Sequence, residues 1–187
     1  MHPSAAHPDP LVWGHGPKIL EVFLEPTCPF SGRAFGKFEA LLTAAGEDRL
    51  SLKLRLLSQP WHMFSAPVIR AILAAASLPE GKAAAWRVME AVFAHREAFI
   101  LTDHASGPNL DLSPRGVLAR IEALSGLALS AAFEQPELQV AVKWHARYAR
   151  QNGIHVTPTF MVDGLVENGM GSGDEVSVWL ERLGIAP

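Results

Sequence analysis

The apolar and polar positions along the chain predict strands at its two ends and helices in its middle. Residues 18–25 form a nearly continuous apolar run, which is typical of a central strand buried on both faces. Residues 29–46 carry apolar side chains at helical spacing and end on a glycine. In residues 50–58 leucine alternates with polar residues, which predicts a half-exposed strand near a sheet edge. This order predicts a strand–helix–strand unit with parallel strands.

The middle of the chain, residues 63–152, is rich in alanine and shows helical periodicity. Four helices are predicted there, beginning near Ser65, before Trp86, at Ser113 and near Pro136. The insertion therefore contributes helices and no strand to the predicted fold.

Strand patterns return after the helices, at residues 158–164 and 165–170. Asp163-Gly164 stands between these two apolar runs and predicts a tight hairpin. A closing helix is predicted to end at Gly184. The element order is therefore βαβ, helices, then ββα, which predicts an α/β fold with a helical insertion.

This order divides the chain into three predicted parts. Residues 1–16 are predicted to be an N-terminal arm, and residues 17–62 and 153–187 together form the sheet domain. Residues 63–152 form an inserted helical subdomain, whose exposed face offers either a substrate cap or a homodimer surface.

Composition narrows the functional classes. The 187 residues are 49% hydrophobic and 19% charged, which is the balance of a chain that buries a core. The net charge of -3 gives no basic excess for nucleic acid or an anionic membrane. A single cysteine excludes an intramolecular disulfide and favours a reducing compartment. With no signal-peptide pattern at the N-terminus, we expect a cytoplasmic protein.

The candidate chemistry lies in "PTCPFS", residues 26–31, which contains the only cysteine. Cys28 follows the first strand and precedes a helix, at the carboxyl edge where open sheets place their sites. Pro29 suits the first helical position, and the positive end of a helix favours a thiolate. Ser31 lies one turn on, and we expect its hydroxyl to donate to the Cys28 sulfur. The alternative is that Cys28 is a small buried residue without a task.

Two segments resemble landmarks of the DsbA-like members of the thioredoxin superfamily. "FLEPTCPFSGRAF" resembles the active-site segment, and "GIHVTPTFMVDG" resembles the segment that leads into the β-hairpin. The resemblance implies a thioredoxin-like fold, a cis Thr157-Pro158 bond beside the cysteine, and disulfide-containing proteins as substrates. It also implies substrate contacts by Pro29, Phe30, Thr157 and Pro158.

Ser31 departs from the family pattern, because the dithiol members carry a second cysteine at this position. Serine forms no disulfide, so Cys28 is predicted to act as a monothiol in a Cys-x-x-Ser motif. An external thiol such as glutathione would then have to resolve the mixed disulfide. Glutathione is thus the candidate co-substrate, either free or as a glutathione mixed disulfide, and no bound cofactor is predicted.

Two further functions remain open at this point. One is a glutathione-dependent transferase or isomerase similar to the kappa class, and the other is a redox-inactive binding module. His62 either assists Cys28 and substrate binding or is an ordinary loop histidine. We predict no metal site, because the histidines lack the spacing of ligands: His62, His95, His104, His145 and His155.

Overall fold

The computed structural model describes residues 11–185 and contains one mixed five-stranded sheet. The strand order is β1-β3-β2-β4-β5, in which β2 and β3 run parallel and every other neighbouring pair is antiparallel. The strands are β1 (Val12–Gly14), β2 (Lys18–Leu24), β3 (Leu50–Leu56), β4 (Thr159–Val162) and β5 (Leu165–Val166).

Eight α-helices and one 3-10 turn complete the part of the chain that the structure describes. The helices are α1 (Pro29–Phe35), α2 (Phe38–Ala45), α3 (Ser65–Ala76), α4 (Lys82–Ala94), α5 (Pro114–Ser125), α6 (Ser130–Phe133), α7 (Leu138–Gln151) and α8 (Val176–Leu183), and the 3-10 turn is Arg96–Phe99. Among the helices of residues 11–185, none has the length and apolarity that a membrane crossing requires.

The α/β class and the order of the main elements are confirmed. Strand β2 lies at the centre of the sheet and is buried along most of its length. Its even-numbered leucine and valine residues enter the main core, whereas Phe23 packs in a second cluster with Met161 and Ile154. The predicted hairpin is also present, with Asp163 and Gly164 at φ angles of 49° and 86° between β4 and β5.

The prediction that β3 is half exposed is wrong. All of its residues except Lys53 are buried. Helix α7 covers Arg55, whose guanidinium lies under the rings of Trp144 and Tyr148, at 4.9 and 5.2 Å from their centroids. Arg55 also forms a buried ion pair with Glu21 of β2, at 2.5 Å. The alternating pattern of β3 therefore reflects a second face that carries a buried ion pair.

The predicted N-terminal arm, residues 1–16, differs from the structure where it can be compared. Residues 12–14 form the edge strand β1, which pairs antiparallel with β3, and Leu11 is fully buried. The arm's first ten residues lie outside the described range. The short strand escapes a periodicity argument because three residues are too few to show a period.

The single helix predicted over residues 29–46 is two helices in the structure, α1 and α2. The break falls at Gly36 and Lys37, where glycine gives little helical preference. The Lys37 ammonium leaves the helix surface and donates hydrogen bonds to the backbone carbonyls of Ser172 and Asp174, just before α8. The break between α1 and α2 is therefore stabilised by a contact with a distant part of the chain.

The helices α3 to α7 all lie within the predicted insertion, residues 63–152. Most of their buried apolar side chains nevertheless belong to the same core cluster as the sheet leucines, including Val68, Val88 and Ile121. The insertion is thus packed into the sheet domain's core. One of its segments, the 3-10 turn after α4, reaches the end of β2, where Cys28 follows.

Candidate functional site

Cys28 lies where β2 gives way to α1. Its backbone is extended (φ -77°, ψ 129°) and its carbonyl accepts the first helical hydrogen bond from the Gly32 N–H at 3.0 Å, with Pro29 at the first helical position. Cys28 is 6% exposed. The strand therefore delivers the sulfur to the rim of the sheet, at the start of a helix, as the sequence predicts.

The loop before β4 faces this sulfur. The Cys28 thiol donates a hydrogen bond to the Thr157 carbonyl oxygen at 3.7 Å, and the Thr157-Pro158 peptide bond is cis. The loop is tied to the end of β3, because the Gln59 side-chain amide donates to the His155 carbonyl at 3.1 Å. Antiparallel pairing of β2 with β4 brings residues 129 positions apart into contact.

Ser31 does not make the hydrogen bond that we predicted for it. Its hydroxyl oxygen accepts a hydrogen bond from the Glu25 backbone N–H at 3.1 Å, and the residue is fully buried. Within residues 11–185, the structure gives this hydroxyl no hydrogen bond to the Cys28 sulfur. Ser31 therefore holds the turn between β2 and α1 in place.

A cleft of about 410 Å³ opens beside Cys28. It is lined by Cys28, Pro29, Phe30, Gln59, Trp61, His62, Arg96, His104, Val156 and Thr157. Of the residues predicted for the site, Cys28, Pro29, Phe30, His62 and Thr157 meet here. Pro158 follows Thr157 without lining the cleft, and Ser31 lies beneath the surface.

Three large apolar side chains stand exposed around the cleft. Phe30, Trp61 and Val156, which we call the apolar rim, are 53%, 50% and 64% exposed. Each comes from a different element: α1, the loop after β3 and the loop before β4. Exposed apolar groups that converge on one cleft are typical of a surface that receives a ligand.

A buried polar network lies behind Cys28. The Glu25 carboxyl is fully buried and accepts hydrogen bonds from both the Thr27 N–H and the Thr27 hydroxyl, each at 3.0 Å. The same hydroxyl lies 3.1 Å from His62 Nδ1, which is 3.7 Å from the carboxyl. Thr27 therefore connects a buried carboxyl group to a histidine of the cleft.

The environment pushes both groups of this network towards their neutral forms. Burial raises the pKa of Glu25, against the opposing effects of the Ser65 and Thr27 groups and of the Arg96 charge. Burial also lowers the pKa of His62, and the charges of His104 and Arg96 add to that effect. Both shifts act against an ion pair between Glu25 and His62. Neutral acid and imidazole groups are able to pass a proton near neutral pH.

Arg96 and His104 reach the cleft from the insertion, and the sequence analysis missed both as site residues. The Arg96 Nε–H donates to the Thr27 carbonyl at 2.6 Å, and the His104 ring stands edge-on to the His62 ring with centroids 5.6 Å apart. Glu25 was also missed, although an acidic residue at the end of an apolar strand was a visible signal. Arg96 and His104 gave no comparable signal, because neither residue belongs to a local motif.

The described residues do not form a metal site. No group of three or more histidine, cysteine or acidic side chains within residues 11–185 is placed to hold a metal ion. The two cleft histidines contact each other, while His145 is a buried residue of α7 and accepts a hydrogen bond from the Leu56 N–H at 3.1 Å.

Comparisons with known proteins agree with this architecture. A family model described as thioredoxin matches residues 13–182. The crystal structure of a proposed protein-disulfide isomerase from Pseudomonas syringae is 60% identical in sequence, with a TM-score of 0.92, and the match covers 94% of this chain and 98% of that one. No protein with a curated description matches the chain.

Two DsbA structures share the fold at lower identity. DsbA2 of Pseudomonas aeruginosa is 20% identical with a TM-score of 0.63, covering 91% of this chain and 90% of that one. DsbA of Xylella fastidiosa is 22% identical with a TM-score of 0.66, covering 90% and 86%. The family match spans the sheet, the insertion and the Cys28 cleft together. The chain therefore belongs to the thioredoxin family and has the fold of the DsbA proteins.

Proposed function

We propose that the protein is a thiol–disulfide oxidoreductase that uses Cys28 as its single nucleophile and an external thiol to complete the cycle. The observation that carries this proposal is the position of the Cys28 sulfur: at the start of a helix, against the Thr157 carbonyl and beside an open cleft. A buried cysteine without a task would not need such a cleft beside it.

The proposed reaction has two exchange steps. In the first, the Cys28 thiolate attacks one sulfur of a substrate disulfide, so that a mixed disulfide forms and the other substrate sulfur leaves as a thiolate. In the second, the thiolate of an external thiol attacks the mixed disulfide and releases Cys28. No second cysteine is present in the chain, so the resolving thiol must come from outside.

Glutathione is the external thiol that we propose, since it is the abundant thiol of reducing compartments. The cytoplasm is such a compartment, and a chain with one cysteine suits it. The neutral His62 imidazole lies in the cleft and is suited to take the thiol proton of Cys28 and to return a proton to the leaving sulfur.

Substrate backbone would pair with the loop before β4. In this loop Val156 and Thr157 lie beside the sulfur, and an extended peptide is able to add to such an edge by main-chain hydrogen bonds. We propose disulfide-containing proteins and glutathione mixed disulfides as substrates. Homodimer formation through the insertion stays a prediction.

The test is the reaction of the protein with glutathione disulfide, followed by intact mass. We expect one glutathionyl group on the wild-type chain and on Ser31→Ala, none on Cys28→Ala, and its loss when reduced glutathione is added. An unreactive Cys28 in the folded protein would refute the proposal and favour a binding module. Glutathione binding that persists in Cys28→Ala, measured by calorimetry, would instead favour the transferase or isomerase.

A further inference from the structure

Apart from the thiol, the ionisable side chains that line the Cys28 cleft are all bases. They are Arg96, His62 and His104. Among the described residues, no aspartate or glutamate lines the cleft. Glu25 lies behind it, fully buried, and its raised pKa reduces its negative charge.

Arg96 is held next to the reacting residue. Its Nε–H donates to the carbonyl of Thr27, which immediately precedes Cys28, at 2.6 Å. Nη1 contacts Glu97 at 3.1 Å, but the Glu97 side chain is 84% exposed, so solvent weakens that ion pair. Nη2 makes no hydrogen bond or ion pair within residues 11–185, and the side chain is 25% exposed. Nη2 of the guanidinium is therefore available to an anion.

His104 is placed at the cleft by a tight turn of the insertion. Thr102 and Ser106 exchange backbone hydrogen bonds at 2.9 and 3.0 Å, and the turn between them contains Asp103 and His104 at φ angles of 49° and 62°. Non-glycine residues in this left-handed region cost free energy. The turn holds the His104 ring edge-on against His62.

We propose that the cleft selects disulfides that carry a carboxylate near the reacting sulfur, with Arg96 and His104 binding the carboxylate. This inference rests on the proposed function of Cys28 and adds the class of substrate. The exchange step is the one described above, in which one substrate sulfur bonds to Cys28 and the other leaves as a thiolate. The apolar rim contacts the uncharged part of the same substrate.

Small disulfides that differ only in charge test this selection. We would measure formation of the Cys28 mixed disulfide by intact mass with 3,3'-dithiodipropionate (anionic), bis(2-hydroxyethyl) disulfide (neutral) and cystamine (cationic). Each rate is divided by the rate of the same disulfide with 2-mercaptoethanol, which removes the difference in intrinsic reactivity. At low salt we expect the anionic disulfide to react on the order of tenfold faster than the cationic one. At 1 M salt this ratio should approach one, since screening then acts within about 3 Å.

Variants identify the side chains that produce the preference for the anionic disulfide. His104→Gln and Arg96→Gln should each lower the anion-to-cation ratio, and Arg96→Lys should keep most of it while losing the hydrogen bond to Thr27. The matched control is Arg115→Gln on α5, which removes one exposed positive charge outside the cleft and should leave the ratio unchanged.

The outcomes separate the inference from the proposed function. If no disulfide reacts with Cys28, the proposed function fails. If all three react at equal corrected rates, or if Arg115→Gln lowers the ratio as much as His104→Gln does, the carboxylate site is refuted while the oxidoreductase stands.

Two sources of the carboxylate remain to be separated. Glutathione disulfide carries it in a small molecule, whereas a peptide disulfide with Glu beside the cysteine carries it in a protein segment. Comparing the Glu peptide with its Lys counterpart shows whether proteins are selected in the same way. A preference for glutathione disulfide alone, over its neutral diester, assigns the site to small disulfides. No charge preference in either pair overturns the inference.

Discussion

His145 offers a sharp test of how the insertion is attached to the sheet. The residue is 3% exposed, and its Nδ1 accepts a hydrogen bond from the Leu56 N–H of β3. Burial, with the nearby Arg55 charge, lowers its pKa from 6.5 to about 3. Protonation would both place a charge in the core and remove the acceptor for Leu56. The neutral form is therefore part of the folded state.

The expected loss of stability follows from the difference between folded and unfolded pKa values. In the unfolded chain the imidazole binds a proton below pH 6.5, whereas in the folded chain it stays neutral down to about pH 3. The stabilisation is thus complete above pH 6.5 and is lost as the pH falls towards 3. Each pH unit in this window costs about 1.4 kcal/mol. At pH 5 the loss from this one residue amounts to about 2 kcal/mol.

Urea unfolding of the wild type and of His145→Asn, at several pH values between 7.5 and 5, measures this contribution. Asparagine places its Oδ1 near the position of Nδ1, so that it keeps an acceptor for the Leu56 N–H, and it does not titrate. The wild type should lose about 2 kcal/mol more than the variant between pH 7.5 and 5. Subtracting the pH profile of the variant from that of the wild type removes the effects of other groups, including Glu25 and His62. Parallel pH profiles for the two proteins would refute the reasoning.

Three further predictions concern the core and the site. Arg55→Met leaves the Glu21 carboxylate buried without its 2.5 Å partner and should lower the free energy of unfolding by about 3–5 kcal/mol. The double variant Arg55→Met/Glu21→Met should recover a large part of this loss, and equal losses in the two variants would contradict the prediction. Ser31→Cys should allow an internal disulfide with Cys28, seen as the loss of two hydrogens by intact mass after oxidation, and two persisting free thiols would argue against it. Glu25→Gln should become more stable relative to the wild type as the pH rises, because burial raises the pKa of Glu25. The contribution of the Glu25 carboxyl to stability is complete below its ordinary pKa of 4.5 and is lost as the carboxyl ionises. A difference in unfolding free energy between the two proteins that stays constant with pH in urea would oppose this prediction.

The sequence predicted those parts of the fold that depend on neighbours along the chain. The apolar run of β2, the hairpin at Asp163-Gly164 and the helix start at Ser113 all follow from local composition and turn chemistry. The placement of Cys28 at a strand–helix junction also follows from the local sequence. These features need only a few consecutive residues to specify them.

Tertiary structure decided how the residues meet across the chain. Whether β3 is exposed depended on α7, and the partner of Ser31 depended on the path of the turn at Glu25. Arg96 and His104 reach the cleft from the insertion, and Arg96 contacts a carbonyl 69 positions away.

The physical reason is that periodicity reports which face of an element is apolar but not what covers that face. By itself, the sequence determined that this chain forms an α/β sheet with one cysteine delivered to its edge. The chemical character of the cleft around that cysteine comes from charges on distant loops, whose positions are fixed only when the whole core has packed.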